Sequence, residues 1–226
     1  MEQPIIIALT GLAGAGKDTV ADTLVTHAGF SKLAFADALR TEVAQAFKLG
    51  DRYGLLSDRG TKERPHPLLA MTHCADLAFV EQIAAIEDAW LNREFLERPY
   101  SPRQILQWWG TEYRRAQQPN YWSTKVAMQI AAGIANGQTR WVVTDCRFDN
   151  EAKAIRSLGG QIWQVMRNGL QDVERGHVSQ TDGARFGPEA IVLNNGNITS
   201  LMYTALRMLQ HRHGGLILPD DLEAAA

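Results

Sequence analysis

Residues 4–10 read PIIIALT and run straight into GLAGAGKDT, residues 11–19. An unbroken apolar run of this length is a strand covered on both faces, as in a parallel sheet buried between helices. A glycine-rich turn after such a strand, ending in Lys17 and opening a helix with Val20, Leu24 and Ala28 on one face, has the layout of a phosphate-binding loop, G-x-x-x-x-G-K-[ST]. Gly11 opens the loop. The backbone N–H groups of Ala13, Gly14, Ala15, Gly16 and Lys17 are expected to turn inward toward phosphate oxygens, and the helix N-terminus adds partial positive charge. Lys17 reaches the outer phosphates, while Gly14 and Gly16 keep Cβ atoms out of the ligand's approach. Asp18 stands where the pattern wants a hydroxyl. It has three readings: a ligand for Mg²⁺, directly or through water; a partner for basic residues that holds the loop open; or an acid favoured by the dipole of the first helical turn. Thr19 is left to donate to an inner phosphate.

The rest of the chain alternates strand and helix patterns. Residues 30–36 (FSKLAFA) read as a second strand, with Asp37 preceding a helix that carries Leu39, Val43 and Phe47. Residues 50–70 are polar with scattered Gly and Pro, and read as a mobile loop or edge insertion. Residues 74–97 show a mixed helical pattern without a clear cap. Ser101-Pro102-Arg103-Gln104 is a capping box with Pro at the first helical position. Trp108 and Trp109 are neighbours on that helix and cannot share a face. One is assigned to the core, the other to an acceptor pocket or the underside of residues 70–98. A further helix covers about 122–135. Strands follow at 140–144, 161–166 and 190–194, and Asn197 caps a last helix. The expected fold is α/β, a five-stranded parallel sheet flanked by helices. It forms a single domain with a core at 1–37 and 138–215, a helical insertion at 38–137 and a short lid at about 168–188.

Composition narrows the function. The formal net charge of −2 excludes a general attraction to nucleic acid or anionic membrane. Of the 23 basic residues, 17 are Arg, the better bidentate phosphate binder, although biased base composition gives the same excess. The two cysteines, Cys74 and Cys146, lie far apart and form neither a disulfide framework nor a zinc spacing. No apolar run approaches the length of a membrane span, and the N-terminus lacks a signal-peptide layout. The expected location is the cytoplasm.

The GKDT ending of the loop, with Asp in the hydroxyl position, resembles the deoxynucleoside monophosphate kinases typified by phage enzymes. Five further blocks resemble that family in the same order. Phe35-Ala36-Asp37-Ala38-Leu39-Arg40 is similar to the start of an acceptor-binding helix. Residues 101–112 (SPRQILQWWGTE), followed by Arg115 and Trp122, resemble the block PR-x-x-L-Q-x-x-GTE. Residues 143–152 (VTDCRFDNEA) resemble D-x-R-F-x-N-E-A, and His177-Val178-Ser179 and Asn194-Asn195-Gly196 also recur. Residues 70–98 read as an insertion that does not align with the family, and Gln180 stands where the family has an acidic residue.

The resemblance implies ATP and Mg²⁺ as cofactors and a nucleoside monophosphate, deoxy favoured, as partner, within a P-loop kinase core. The attacking group would be a phosphate that is already anionic, so no general base is required and catalysis is positioning plus charge neutralisation. Asp37, Arg40, Thr111 and Arg115 are expected at the acceptor, with Arg114 as a solvated neighbour. Asp145 is expected beside the loop strand, orienting Mg²⁺ together with Asp18. Arg147 would contact the transferring or the acceptor phosphate, and Arg167 would stack on the donor base or reach its phosphates. Asp145 and Arg147 also read as a plain structural ion pair. Arg175, His177 and Arg185 belong to the lid, where His177 reads equally as an ordinary loop histidine. Asn195 and Gly196 are expected near adenine. An uncovered apolar face on the insertion would make a homodimer.

Two other functions fit parts of the pattern. A kinase of another phosphorylated metabolite, such as dephospho-coenzyme A, would share the core. A nucleotide-dependent switch would need only the loop and Asp145, leaving Arg40 and Arg115 without work.

Overall fold

The computed structural model describes residues 3–58, 60–90, 92–169 and 187–214. The chain divides into two compact units, residues 1–35 with 123–226, and residues 36–122.

The first unit is built on a five-stranded sheet. Its strands are β1 (Ile5–Thr10), β2 (Ser31–Leu33), β3 (Arg140–Val143), β4 (Gln161–Met166) and β5 (Ala190–Leu193), in the order β2-β3-β1-β4-β5. Every pairing is parallel, as the continuous apolar runs predict. The side-chain period of two sends Ile7, Leu9, Val142, Trp163, Val165 and Val192 to one face. There they meet Val20, Leu24 and Ala28 of α1 (Lys17–Ala28) and Leu201, Ala205 and Leu209 of α8 (Ile198–His213). Ile6, Ala8, Val143 and Ile162 point the other way. They pack with Val126 and Ile130 of α6 (Tyr121–Ala135) and Ala152 and Ile155 of α7 (Asp149–Ser157). Each such aliphatic side chain, once buried, is worth about 1.5–3 kcal/mol, so two faces of this kind dominate the stability of the unit.

Local signals set the helix ends. Gly29 closes α1 at φ 68°, its N–H donated to the Leu24 carbonyl. Asn197 caps α8 by accepting the Ser200 N–H. The second strand is shorter than residues 30–36. It ends at Leu33, and α2 (Phe35–Ala46) starts at once. Asp37 therefore lies in the first turn of α2, not ahead of it. The cause is remote: Asp145 Oδ1 accepts the Phe35 N–H at 2.7 Å and satisfies a donor of the starting helix.

The second unit is helical: α2 after its first residue, α3 (Leu77–Ile86), α4 (Arg93–Glu97), α5 (Pro102–Gln107) and a π-helical stretch, Trp108–Arg115, that continues α5. Residues 50–70 are more ordered than a mobile loop. They form 3₁₀ turns at Gly50–Leu56 and Pro67–Leu69 that bury Leu56 and Leu69, and a bridge from His66 to Tyr100. Residues 74–97 do carry caps. Asp76 accepts the Phe79 N–H and Asn92 accepts the Phe95 N–H, each without the acid three residues on that completes a capping box. Both Trp108 and Trp109 are core residues. They occupy different faces, and each face has aromatic cover: Trp108 lies 5.0 Å from the Tyr100 ring, and Trp109 lies 4.7 Å from Phe79. Cys74 and Cys146 are buried thiols, and burial pushes the Cys74 thiol up to about 11.

One packing feature reverses an ordinary rule. Gly133 lies inside α6, where Ala is normally the better residue by about 0.5–1 kcal/mol. A Cβ there would sit 2.1 Å from the Trp141 ring, and the Trp141 indole N–H is tied to the Gln138 carbonyl at 2.9 Å. Gly133→Ala is expected to lower stability by about 1–3 kcal/mol. Urea denaturation checks this, and an unchanged or raised midpoint would refute the packing account.

Candidate functional site

In a parallel sheet, ligands bind at the carboxyl ends of the strands. Four expected segments lie there in the sheet unit: the glycine loop after β1, Asp145–Arg147 after β3, Arg167 after β4, and Asn194–Gly196 after β5. Because β1 lies between β3 and β4, the loop has neighbours on both sides.

The glycine loop is held by backbone approach. Gly11 has φ 129°, and a Cβ on it would stand 2.3 Å from the Val165 carbonyl oxygen. Gly16, at φ 106°, caps α1, and its missing Cβ leaves room for Asn194 Nδ2 and Leu201 Cδ2, at 2.7 and 2.9 Å from where that atom would be. Gly16 is thus required by the protein's own packing rather than by a ligand's approach. Gly14 is different: exposed, at φ 78°, with nothing within 4 Å of a Cβ. It leaves the loop face open. The Ala15 N–H is donated to the Leu12 carbonyl at 3.2 Å, so this amide closes a turn rather than pointing inward. Lys17 Nζ donates to the carbonyls of Gly11 and Leu12 at 2.7 and 2.8 Å, folding the ammonium back over the loop. Asp18 is exposed in the first turn of α1, and Ala13 is exposed beside Gly14. Thr19 is half-buried, and its carbonyl accepts the Thr23 hydroxyl.

Asn194 ties the end of β5 to the glycine loop. Its side-chain amide donates to the Ala15 carbonyl at 2.8 Å, and its backbone N–H extends the β4–β5 ladder to Met166 at 2.7 Å. The following Asn195 and Gly196 are exposed, and Asn195 Oδ1 accepts the Asn168 N–H. On the other side of β1, the Cys146 N–H reaches the Leu9 carbonyl at 3.1 Å. Arg147 is exposed. Its backbone N–H and that of Phe148 are donated to Glu151 Oε2, a carboxylate buried to 2% exposure at the head of α7. Glu151 holds the turn that presents Arg147, and the N-E-A ending of the block was the signal for it. Arg167 is exposed directly after β4. Arg175, His177 and Arg185, with most of the expected lid, lie outside the described residues.

The helical unit holds the remaining candidates. Asp37 and Arg40 pair at 2.9 Å. Thr111 is exposed and Arg115 half-buried. Arg114 is not a solvated neighbour. Its Nε donates to Glu42 Oε2 at 2.9 Å, and its guanidinium stands over the rings of Tyr113, Trp109 and Tyr121 at 4.5, 5.2 and 5.4 Å. Glu42 also accepts from the Trp109 indole at 3.0 Å and the Tyr121 hydroxyl at 2.6 Å. Asp76 accepts the Tyr113 hydroxyl on both oxygens. Burial is the strongest single influence and opposes the Arg114 charge, but the hydrogen bond to Glu42 and the attraction of the Glu42 carboxylate and the neighbouring Tyr121 and Tyr113 together hold the guanidinium's pKa up. Burial, aided by Asp76, likewise raises the Tyr113 hydroxyl. An open groove of about 630 Å³ runs past Glu42, Asp76, Trp109 and Arg114; none of Asp37, Arg40, Thr111 or Arg115 lines it.

Against known families, residues 61–205 match the model for deoxynucleotide monophosphate kinase. The chain belongs to the deoxynucleotide monophosphate kinase family. Membership places it among nucleotide kinases, the class that its ordered blocks resemble. The matched span begins after the glycine loop and takes in the GTE block, Asp145, Arg147 and the last strand. A protein of Acanthamoeba polyphaga mimivirus, provisionally named deoxynucleotide monophosphate kinase, is 25% identical over 217 residues, 89% of this chain and 94% of its own. Among solved structures, dephospho-CoA kinase from Campylobacter jejuni aligns with a TM-score of 0.43 at 12% identity, over 93% of this chain and 98% of its own. The protein TT1252 from Thermus thermophilus aligns with 0.46 at 18%, over 95% and 100%. No helix among the described residues of this family member is long and apolar enough to cross a membrane.

The Asp145–Phe35 bond yields a stability prediction that is independent of catalysis. Asp145→Ala should cost about 0.5–2 kcal/mol, as loss of a helix-cap acceptor does, and Asp145→Asn, which retains an acceptor oxygen, should cost clearly less. Equal losses in urea denaturation would show that the bond does not hold the start of α2.

Proposed function

We propose that this kinase transfers the γ-phosphoryl group of ATP to a deoxynucleoside monophosphate, giving the diphosphate. The observation that carries the reading is the glycine loop at the head of α1, with Gly14 open to solvent and Lys17 Nζ resting on loop carbonyls from which a triphosphate can recruit it. Loop amides and the positive end of α1 suit the donor phosphates. Asn195 and Gly196 are assigned to the adenine side.

The chain's carboxylates also fit Mg²⁺. Asp18 lies exposed at the loop and Asp145 at the adjoining strand end, and hard cations take such oxygens together with phosphate oxygens and water. Mg²⁺ there would neutralise charge on the donor phosphates. Asp145 already holds the Phe35 N–H, so its orientation is fixed before any ligand arrives. The acceptor phosphate needs no base, since it attacks as an anion. It needs position and compensating charge. Arg40 and Arg115 are assigned to hold it, with Asp37 setting the Arg40 guanidinium at 2.9 Å, and Thr111 of the GTE block is assigned to the same ligand. Arg147, presented by Glu151, and Arg167 are assigned to the transferring group.

A coupled assay of ADP release with Mg²⁺ and ATP, run against a panel of ribo- and deoxynucleoside monophosphates and dephospho-coenzyme A, tests the reading. Stimulation by one or more deoxynucleoside monophosphates is expected. Lys17→Ala should lower kcat about 10²-fold or more. Arg40→Ala and Arg115→Ala should raise the monophosphate KM about tenfold or more with ATP binding retained. Stimulation by dephospho-coenzyme A alone would move the acceptor to another class, and no stimulation by any compound would overturn the assignment.

A further inference from the structure

Two buried side-chain atoms among the described residues have no hydrogen-bond partner, Arg40 Nε and Glu112 Oε2. A buried polar atom left unsatisfied is costly, a charged one more so, and natural proteins keep few of them. Both lie in the helical unit, one on α2 and one in the GTE block, the two segments already assigned to the acceptor. One is a donor on a cation and the other an acceptor on a carboxylate. The donor suits a phosphate. The carboxylate oxygen does not, because it would repel one.

We infer that Glu112 recognises the nucleoside part of the acceptor, its buried oxygen accepting a hydrogen bond from an N–H of the base edge or from the 3′-hydroxyl. The inference rests on the proposed acceptor being a nucleoside monophosphate, whose hydrogen-bond donors lie on sugar and base. The backbone around Glu112 is rigidly placed. Gln82 Nε2 donates to the Glu112 carbonyl at 2.6 Å, Tyr113 is tied to Asp76, and Arg114 to Glu42. A carboxylate on so fixed a segment has little freedom left to lose on binding. The segment is also π-helical from Trp108 to Arg115, a rare geometry that recurs at functional sites. Local packing alone leaves it unexplained that the half-buried Glu112 carries an oxygen with no partner.

Steady-state kinetics on the full chain, with KM measured separately for each monophosphate and for ATP, tests this. Glu112→Ala should raise the monophosphate KM about tenfold or more and leave the ATP KM within about twofold, at an unchanged melting profile. Glu112→Gln keeps the volume and one acceptor oxygen but loses the charge. It should raise that KM by a smaller factor, about threefold or more, and it carries the test by itself if the Ala variant melts early. If the donor is the 3′-hydroxyl, the penalty is shared by all four bases and disappears with 2′,3′-dideoxynucleoside monophosphates. If the donor is a base edge, the penalty differs between bases and persists without the hydroxyl. An unmoved monophosphate KM in an active, folded variant overturns the inference alone, as does an ATP KM that rises in step. A wild-type enzyme that no monophosphate stimulates removes the acceptor reading and this inference with it.

Discussion

The close approach of the glycine loop to the ends of β4 and β5 is the constraint on which the rest of the site depends. Gly11 passes so near the Val165 carbonyl that any side chain would collide with it, and Gly16 makes way for Asn194 and Leu201. These two contacts set where β1 leaves the sheet and where α1 begins. Asn194 then ties the Ala15 carbonyl to the last strand. The loop is therefore shaped by the protein before any ligand is present, a preorganisation that spares a bound polyphosphate the cost of ordering it. Gly14, by contrast, has open space around it.

The helical unit solves a different problem. It has no sheet, and its core is a set of aromatic rings whose polar tips must find partners. Glu42 and Asp76 provide them, taking the Trp109, Tyr113 and Tyr121 donors and the Arg114 guanidinium. Such a network is costly to break at one member, because the remaining charge is left half-buried and unpaired. It fixes the GTE segment on the same helix pair that carries Arg40 and Arg115. Arg114 and Asp76 find their partners within the helical unit, whereas Arg40 Nε and Glu112 Oε2 find none there.

What could be read in the sequence was local. The strand, loop and first helix share one contiguous stretch, and their signals are apolar continuity, glycine and Lys17. The parallel sheet followed from strands that alternate with helices. The pairing of β3 beside β1, expected for Asp145, appears in the register from Ile5 opposite Arg140 to Ala8 opposite Val143. What was misread depended on distant partners. The start of α2 is set by Asp145, 110 residues away, and Arg114 is claimed by Glu42, 72 residues away. The caps at Asp76 and Asn92 were missed because neither is followed by Glu or Gln at the third position. Of the alternatives offered for the second tryptophan, packing against residues 70–98 is the one realised: Trp109 lies on Phe79 while Trp108 lies on Tyr100, because a helix buried on two faces gives adjacent residues a core each. Orphaned atoms such as Glu112 Oε2 have no signature in a one-dimensional sequence.

The central claim is that the amides of the glycine loop bind the donor triphosphate. The most direct measurement is a titration of isotope-labelled protein with Mg²⁺ and ATP, followed through backbone amide shifts. The account predicts saturable shifts that are largest at Ala13, Gly14, Gly16 and Lys17 and smaller at Ala15, whose N–H is held by Leu12. Saturable binding that leaves residues 13–17 unmoved while shifting amides elsewhere would contradict it.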